Sequence, residues 1–352
     1  MLVCVTGGTG FVGAHSVAAL VRIGHRVRIL ARDEAGVARA LTPLGVDPSA
    51  VDVVVGEVTD ELAVARAMVG AGGVLHAAAV YSFDRRRAAE MHATNVRGTE
   101  RVLAAAHRVA ADPVVHVSSF GALLPAKDRV VSAASPVGHA AEPYLASKAA
   151  ADRVAREAQS RGEHVVITYP PAMLGPCDPH LGDQNARLRD TLRGLMPIWP
   201  LGGFPVGDVR DTAALHAAIF TEPELPRDRY FGPGRYLSTR RHVRALRAAT
   251  GRSLPAVFLP ARTLYPVGLA ANLLQRVWPW HIPAEFGAIY TCACATRVVD
   301  YDSSLGIPPR PLADTVADTI RWLHDTGHIS DRQAGILSGR RTGPTDVIAR
   351  AA

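Results

Sequence analysis

Across its first 170 residues the chain alternates short apolar runs with longer helical patterns, and no other feature constrains the fold as tightly. The apolar runs lie at 2–5, 26–31, 51–55, 73–76, 113–117 and 164–169, and helix-patterned stretches fill 11–23, 34–42, 60–70, 86–110 and 143–161. Runs such as VDVVV and HVVITY are apolar nearly throughout rather than at every second residue, so neither sheet face meets water. Strands of that kind, each followed by a helix, call for a parallel sheet covered by helices on both sides, with right-handed crossovers. The expected fold class is α/β, a doubly wound parallel sheet. With 352 residues, 48% of them apolar, the chain can bury one large core or two closely joined ones.

Beyond residue 170 the texture changes. Pro and Gly become dense (YPPAMLGPCDP, MPIWPLGGFP, LPRDRYFGPG), which reads as a smaller, irregular C-terminal domain. The expected boundaries are 1–168 for the sheet domain, 169–325 for the second region and 326–352 for a movable tail. Residues 206–222 read as a strand and helix returning to the first domain, and 312–324 as a late amphipathic helix.

The first strand–helix junction reads VCVTGGTGFVG over residues 3–13. Gly7, Gly10 and Gly13 allow a tight turn and let backbone approach a pyrophosphate, while the following helix directs its N-terminus at the negative charge. Thr6, Phe11 and Val12 flank them in the same loop. At this position in an alternating chain the pattern points to a Rossmann-type, dinucleotide-binding sheet. The second strand ends Ala31-Arg32-Asp33. An acidic residue there would accept the ribose hydroxyls of NAD, whereas an arginine would pair with the 2′-phosphate of NADP through its planar fork. Arg32 favours NADP, Asp33 argues mildly for NAD, and an ordinary surface arginine remains an alternative.

Tyr144-Leu-Ala-Ser-Lys148 opens a helical stretch. Residues i and i+4 share a helix face, so phenol and ammonium can meet, and a nearby positive charge would lower the phenol pKa toward neutrality. Lysine is informative here, because Lys127 and Lys148 are the only two among 39 basic residues. The fifth strand ends Val117-Ser118-Ser119-Phe120-Gly121, where a hydroxyl can reach a ligand lying beyond the carboxyl ends of the strands.

Other classes are disfavoured. The net charge of +7 comes almost wholly from scattered arginines, which read as solvated faces rather than a nucleic-acid surface. Cys4, Cys177, Cys292 and Cys294 have no ligand spacing, so neither a metal site nor a disulfide framework is expected, and a reducing, cytoplasmic setting fits. The most apolar segment, 264–280, is interrupted by Pro, Asn, Gln and Arg, so no membrane span is expected. The chain begins at once with MLVCV, which reads as a strand without a leader.

These motifs together resemble the extended short-chain dehydrogenase/reductase superfamily, also called the NAD-dependent epimerase/dehydratase family. The matching features are TGGTGFVG (6–13), GEVTD (56–60), HAAA (76–79), NVRGT (95–99), VSSFG (117–121), YLASK (144–148), PPAMLGP (170–176) and VRDTA (209–213). The resemblance implies that Ser119, Tyr144 and Lys148 form the catalytic set, with Ser118 as the alternative hydroxyl. Tyr144 would exchange a proton with the substrate oxygen, and Lys148 would tune Tyr144 and bind the ribose. It also implies cofactor contacts from Thr6, Gly7, Gly10, Phe11, Val12, Gly13, Arg32, Glu57, Val58, Ala77, Ala78, Tyr144, Lys148, Pro170, Ala172 and Met173. Glu57 replaces the family's usual Asp, and Asn95 would be a polar anchor near the site. Such relatives often form homodimers through the two long helices, here 86–110 and 143–161.

Within the family, dehydratases carry an Asp-Glu pair where this chain has Phe120-Gly121. Epimerases favour an aromatic–glycine pair near Leu123-Leu124 and an Asn near Pro171. PPAMLGP with Arg32-Asp33 looks more like the dihydroflavonol-reductase-like branch, although Tyr169 replaces that branch's Arg. The expected function is NADP(H)-dependent reduction of a ketone or aldehyde, or oxidation of the alcohol, on an apolar small molecule. Leu-, Trp- and Phe-rich segments (Met196, Trp199, Phe204, Leu264, Tyr265, Leu269, Trp278, Trp280) agree, or simply form the small domain's core. The alternatives are a nucleotide-sugar epimerase or reductase with tightly bound NAD and a diphosphate clamp from Arg262, Arg276 or Arg297, a 3β-hydroxysteroid dehydrogenase-like enzyme, or a cofactor-binding protein without turnover.

Overall fold

The computed structural model describes residues 1–82, 85–126, 130–266, 268, 270, 286–294, 297–298 and 305–339. The first half alternates as expected: β1 (Leu2–Thr6), α1 (Phe11–Arg22), β2 (Arg26–Ala31), α2 (Glu34–Leu41), β3 (Val51–Val55), α3 (Glu61–Met68) and β4 (Gly73–His76). A short helix α4 (Ala88–Met91) runs through a wide π turn (His92–Arg97) into α5 (Gly98–Arg108), followed by β5 (Val114–Val117), β6 (Val130–Val131), α6 (Pro143–Ser160) and β7 (Val165–Tyr169). Then come β8 (Ala172–Leu174), α7 (Asp183–Leu192), β9 (Ile198–Leu201), β10 (Gly203–Asp208), α8 (Val209–Ile219), β11 (Arg229–Phe231), β12 (Arg235–Ser238), α9 (Thr239–Thr250) and β13 (Val257–Pro260). Beyond these lie α10 (Phe286–Cys294), β14 (Arg297–Val298), α11 (Leu312–Asp325) and α12 (Asp331–Ala334).

Seven strands form one parallel sheet in the order β11-β7-β5-β4-β1-β2-β3. The order reverses between β1 and β4, which opens a crevice at the carboxyl ends of those strands. Strands β4, β5 and β7 are buried along their whole length, as continuous apolar runs require, whereas edge strand β3 is only half covered. One face packs on α1, α2 and α8 through Val17, Leu20, Val37, Leu41, Leu215 and Ile219. The other packs on α3, α5 and α6 through Ala63, Met68, Val102, Ala106, Ala155 and Ala158.

Three details differ from the sequence reading. The stretch 86–110 is not one regular helix: the π turn at 92–97 sits where Asn95 ties the Val80 backbone to Ser147. Of 206–222, only helix α8 returns to the large sheet; β10 pairs with β8 and β12 in a separate sheet, and β11 extends the large one instead. Residues 326–339, expected to begin a movable tail, bury Ile329 and Ala334 against the core, and 340–352 lie outside the described residues.

Candidate active site

The three glycines sit where side chains have no room. A Cβ on Gly13 would lie 2.0 Å from the Gly7 carbonyl oxygen, and one on Gly7 (φ +75°) would lie 2.5 Å from the Ala78 nitrogen. The loop therefore lies against the β4–α4 connection, and bare backbone leads into α1. Gly10 caps that helix without a side-chain bond, and its first turn has no acidic residue. An uncapped, uncontested N-terminus of a three-turn helix fits a dinucleotide pyrophosphate.

Across the crevice, Glu142 caps α6 by accepting from the Leu145 N–H at 2.9 Å, which fixes the start of the helix that carries Tyr144 and Lys148. The Lys148 ammonium is buried and donates to the Val117 carbonyl at 3.0 Å. Burial lowers its pKa to about 8, partly opposed by Asp152. The Tyr144 phenol is hydrogen-bonded to Ser119. Burial pushes it up from its ordinary value, opposed by that hydrogen bond and reinforced by the carboxylates of Glu142 and Asp183. Lys148 is not among the groups that shift the phenol, so the lowering expected from its charge does not appear here. Ser119 also accepts the Gly121 N–H at 3.1 Å. The Ser118 hydroxyl is engaged, donating to buried Asp152 at 2.8 Å, and Asp152 in turn pairs with Arg156 at 2.8 Å. Arg156 donates to the Tyr169 hydroxyl at 2.8 Å, so Tyr169 belongs to this buried network.

One cavity of about 330 Å³ joins the two halves. Gly7, Gly10, Phe11, Val12, Gly13, Ala77, Ser119, Tyr144, Lys148, Pro170, Ala172 and Met173 line it, so most of the residues singled out in the sequence come together. Thr6, Arg32, Glu57, Val58 and Ala78 do not line it. Thr6 is buried against His76 at 2.7 Å, and Val58 is buried beside Gly98. Arg32 and Glu57 are exposed, and Glu57 accepts from the Thr59 hydroxyl at 3.2 Å. Asp33 is spent on α2: it caps that helix through the Gly36 N–H and pairs with Arg39 at 3.6 Å.

The cavity also has walls that the sequence did not disclose. Tyr81 stands edge-on to Tyr144 with ring centroids 4.4 Å apart. Asp178 contributes from the loop before α7 and Asp183, Gln184, Asn185 and Arg187 from that helix, with Phe204 from β10 and Thr291 from α10. Asn185 is 1% exposed. Its amide donates to the Gly175 carbonyl at 3.1 Å and to Asp178 at 3.0 Å, while its oxygen has no partner. Both contacts are acceptors, which fixes the amide orientation. Of the apolar residues expected as walls, Phe204 is one; Trp199, Leu264 and Tyr265 pack elsewhere, and Cys292 is buried beside the site. Lys127, Leu269, Arg276, Trp278, Trp280 and the Arg297 side chain lie outside the described residues.

A family model, "NAD dependent epimerase/dehydratase family", matches residues 3–228, which include the glycine loop, the Tyr144–Lys148 helix and the returning helix α8. The chain belongs to that family. A Synechocystis sp. protein named "Putative dihydroflavonol 4-reductase" is 28% identical over 347 residues, covering 92% of this chain and 95% of its own. Cinnamoyl-CoA reductase 1 of Oryza sativa subsp. japonica is 30% identical over 258 residues, 70% of this chain and 75% of its own. The crystal structure of gox2253 superposes with a TM-score of 0.76 at 27% identity, covering 94% of this chain and 99% of that one. The protein is an NAD(P)-dependent oxidoreductase of the extended short-chain dehydrogenase/reductase type. Among the described residues no helix is long and apolar enough to cross a membrane.

Proposed function

We propose that the protein reduces a ketone or aldehyde on an apolar small molecule with NADPH, or oxidises the corresponding alcohol. The observation that carries this reading is the meeting of Tyr144, Ser119 and Lys148 with the glycine loop in one cavity at the switch point of the sheet. A nicotinamide bound there supplies or accepts the hydride. Ser119 orients the substrate carbonyl, and Tyr144 donates the proton its oxygen needs. A phenol held protonated by burial suits the donor role in the reductive direction. Lys148, fixed on Val117, presents its positive charge to the ribose and to the phenol. Gly7, Gly10, Gly13 and the start of α1 hold the pyrophosphate.

NADP is favoured because Asp33, the acidic residue that would serve NAD, is occupied in capping α2, while Arg32 stands exposed at the end of β2. The reading also includes a cytoplasmic homodimer joined through α5 and α6.

Fluorescence titration of cofactor-free protein with NADPH and NADH tests the cofactor assignment. NADPH should bind more tightly, and Arg32→Ala should level the two. Tighter NADH binding would transfer the assignment to NAD. Tyr144→Phe should lower carbonyl reduction by roughly 10²–10⁴-fold while leaving NADPH binding intact; unchanged turnover would remove Tyr144 from the chemistry.

A further inference from the structure

Arg187 lies in the cavity wall on α7, half-buried, and its guanidinium has neither an ion pair nor a hydrogen bond among the described residues. Three other half-buried arginines of the fold are spent. Arg189 pairs with Asp190 at 2.7 Å, Arg156 with Asp152 at 2.8 Å, and Arg210 with both Asp208 and Asp318 at 2.7 and 2.8 Å. The nearby carboxylates do not neutralise Arg187. Asp178 uses its oxygens on the N–H groups of His180 and Gly182 and on Asn185. Asp183 acts on the Tyr144 phenol, one helical turn (about 6 Å) away from Arg187 along α7.

The surroundings of Arg187 on its other side are also unpaired. His242 is buried with both ring nitrogens unpartnered, and its ring stands 5.5 Å from that of buried Trp199, whose indole nitrogen is unpartnered too. The charge of Arg187 is felt at both His242 and Cys292. The cavity thus has a reacting end at Tyr144, Ser119 and Asp183. The same cavity wall includes the guanidinium of Arg187, which pairs with nothing among the described residues, together with Phe204 and Thr291.

We propose that Arg187 is the anchor for an acidic group on the substrate, so that the enzyme acts on an apolar oxo acid rather than a neutral carbonyl compound. A half-buried guanidinium that pairs with no carboxylate among the described residues is matched by a carboxylate gripped through two parallel N–H donors. The substrate's carbonyl is then held at Tyr144 and its carboxylate at Arg187, in the wall of the same cavity. This inference rests on the reductase reading, because that reading places the reacting end.

The test is calorimetric binding of 2-naphthoate and 2-naphthamide, an isosteric acid and amide pair, to the full-length protein. The wild type should bind the acid about 10- to 100-fold more tightly, the range of a charge-assisted hydrogen bond. Arg187→Gln should bind the two equally, and Arg187→Lys should recover part of the preference, since it keeps the charge but loses the fork. Tyr144→Phe should keep the full preference. Equal binding in the wild type, binding of neither, or a preference that survives in Arg187→Gln would overturn the proposal. Turnover is not read in this experiment. Failure of the reductase reading therefore shows in the ketone assays alone, and failure of the anion anchor in the binding pair alone.

Discussion

Lys148 is the residue whose chemistry depends most on where the fold puts it. Its ammonium is held charged at neutral pH but with a pKa of about 8, against 10.5 in an unfolded chain. Between those values the unfolded chain binds more protons, so the contribution of this residue to stability rises with pH over that window. On the proposed function its contribution to activity runs the other way, because the neutral amine would no longer supply positive charge to the ribose and phenol. The profile of kcat/KM should therefore fall above about pH 8 while the urea midpoint does not fall with it. A flat profile to pH 10 would show that Lys148 carries no titrating role. Gly13 is equally local in origin. Gly13→Ala places a Cβ 2.0 Å from a carbonyl oxygen, so the phosphate loop must shift; NADPH affinity should drop at least tenfold, with about 1–3 kcal/mol of stability lost to overpacking. Both residues were legible in the sequence, because glycine spacing and Tyr-xxx-Lys are local patterns. Asp33 and Arg187 were not. The first is decided by whether its carboxylate meets a ribose or the Gly36 N–H, and the second by its pairing with no carboxylate among the described residues, which no sequence pattern records.

At the scale of elements, the strands and helices of the first half were readable because each is long, continuously apolar or strongly periodic. The π turn within the fourth crossover was not, since its cause is tertiary. Asn95 accepts from the Val80 N–H at 2.7 Å and donates to the Val80 carbonyl at 3.0 Å and to the Ser147 hydroxyl at 2.9 Å. It thereby clamps the segment that presents Tyr81 to helix α6, which carries Tyr144. Asn95→Ala should cost about 1–3 kcal/mol in urea unfolding, from stranded buried backbone groups, and should lower kcat more than it weakens NADPH binding. A loss of stability with unchanged kcat would make the clamp purely structural. In the second half, β9 and β10 contain Pro200 and Pro205, and β8 and β11 have only three residues each. Proline inside short strands masks the alternating pattern by which strands are recognised, and it is tolerated here because β9 has a neighbour on one side only and β10 is paired at Pro205 with β12 alone. Helix α7, with a polar start and Asn185 directed inward, likewise has little apolar periodicity to announce it, which is why the far wall of the cavity went unread.

For the whole molecule, burial of neutral histidines sets how the fold meets acid. His15, His76, His216 and His242 are all buried, and desolvation lowers their pKa values to about 4, 3, 3 and 4 from 6.5. Two of them join elements on opposite sides of the sheet. His76 connects Thr6 on β1 to Thr99 on α5 at 2.7 and 2.9 Å, and His216 connects Ser16 on α1 to Thr168 on β7 at 2.8 and 3.1 Å. Below pH 6.5 the unfolded chain takes up protons at these residues that the folded chain refuses, so each withdraws about 1.4 kcal/mol per pH unit until its folded pKa is reached. His324, whose pKa is raised mainly by its hydrogen bond to Asp331 on the surface, acts in the opposite sense and is outnumbered. Stability should accordingly begin to fall near pH 6, well above the range in which paired carboxylates protonate, and the urea midpoint should be lower at pH 5 than at pH 7. His216→Gln should be less stable at pH 7, because its amide cannot span Ser16 and Thr168 as the ring does, yet should lose less between pH 7 and 5. An unchanged midpoint across that interval in the wild type would mean that the buried rings find proton acceptors on acidification. If α5 and α6 also join two copies, the midpoint should rise with protein concentration at every pH, and sedimentation at twice the mass of one chain would show the pair directly.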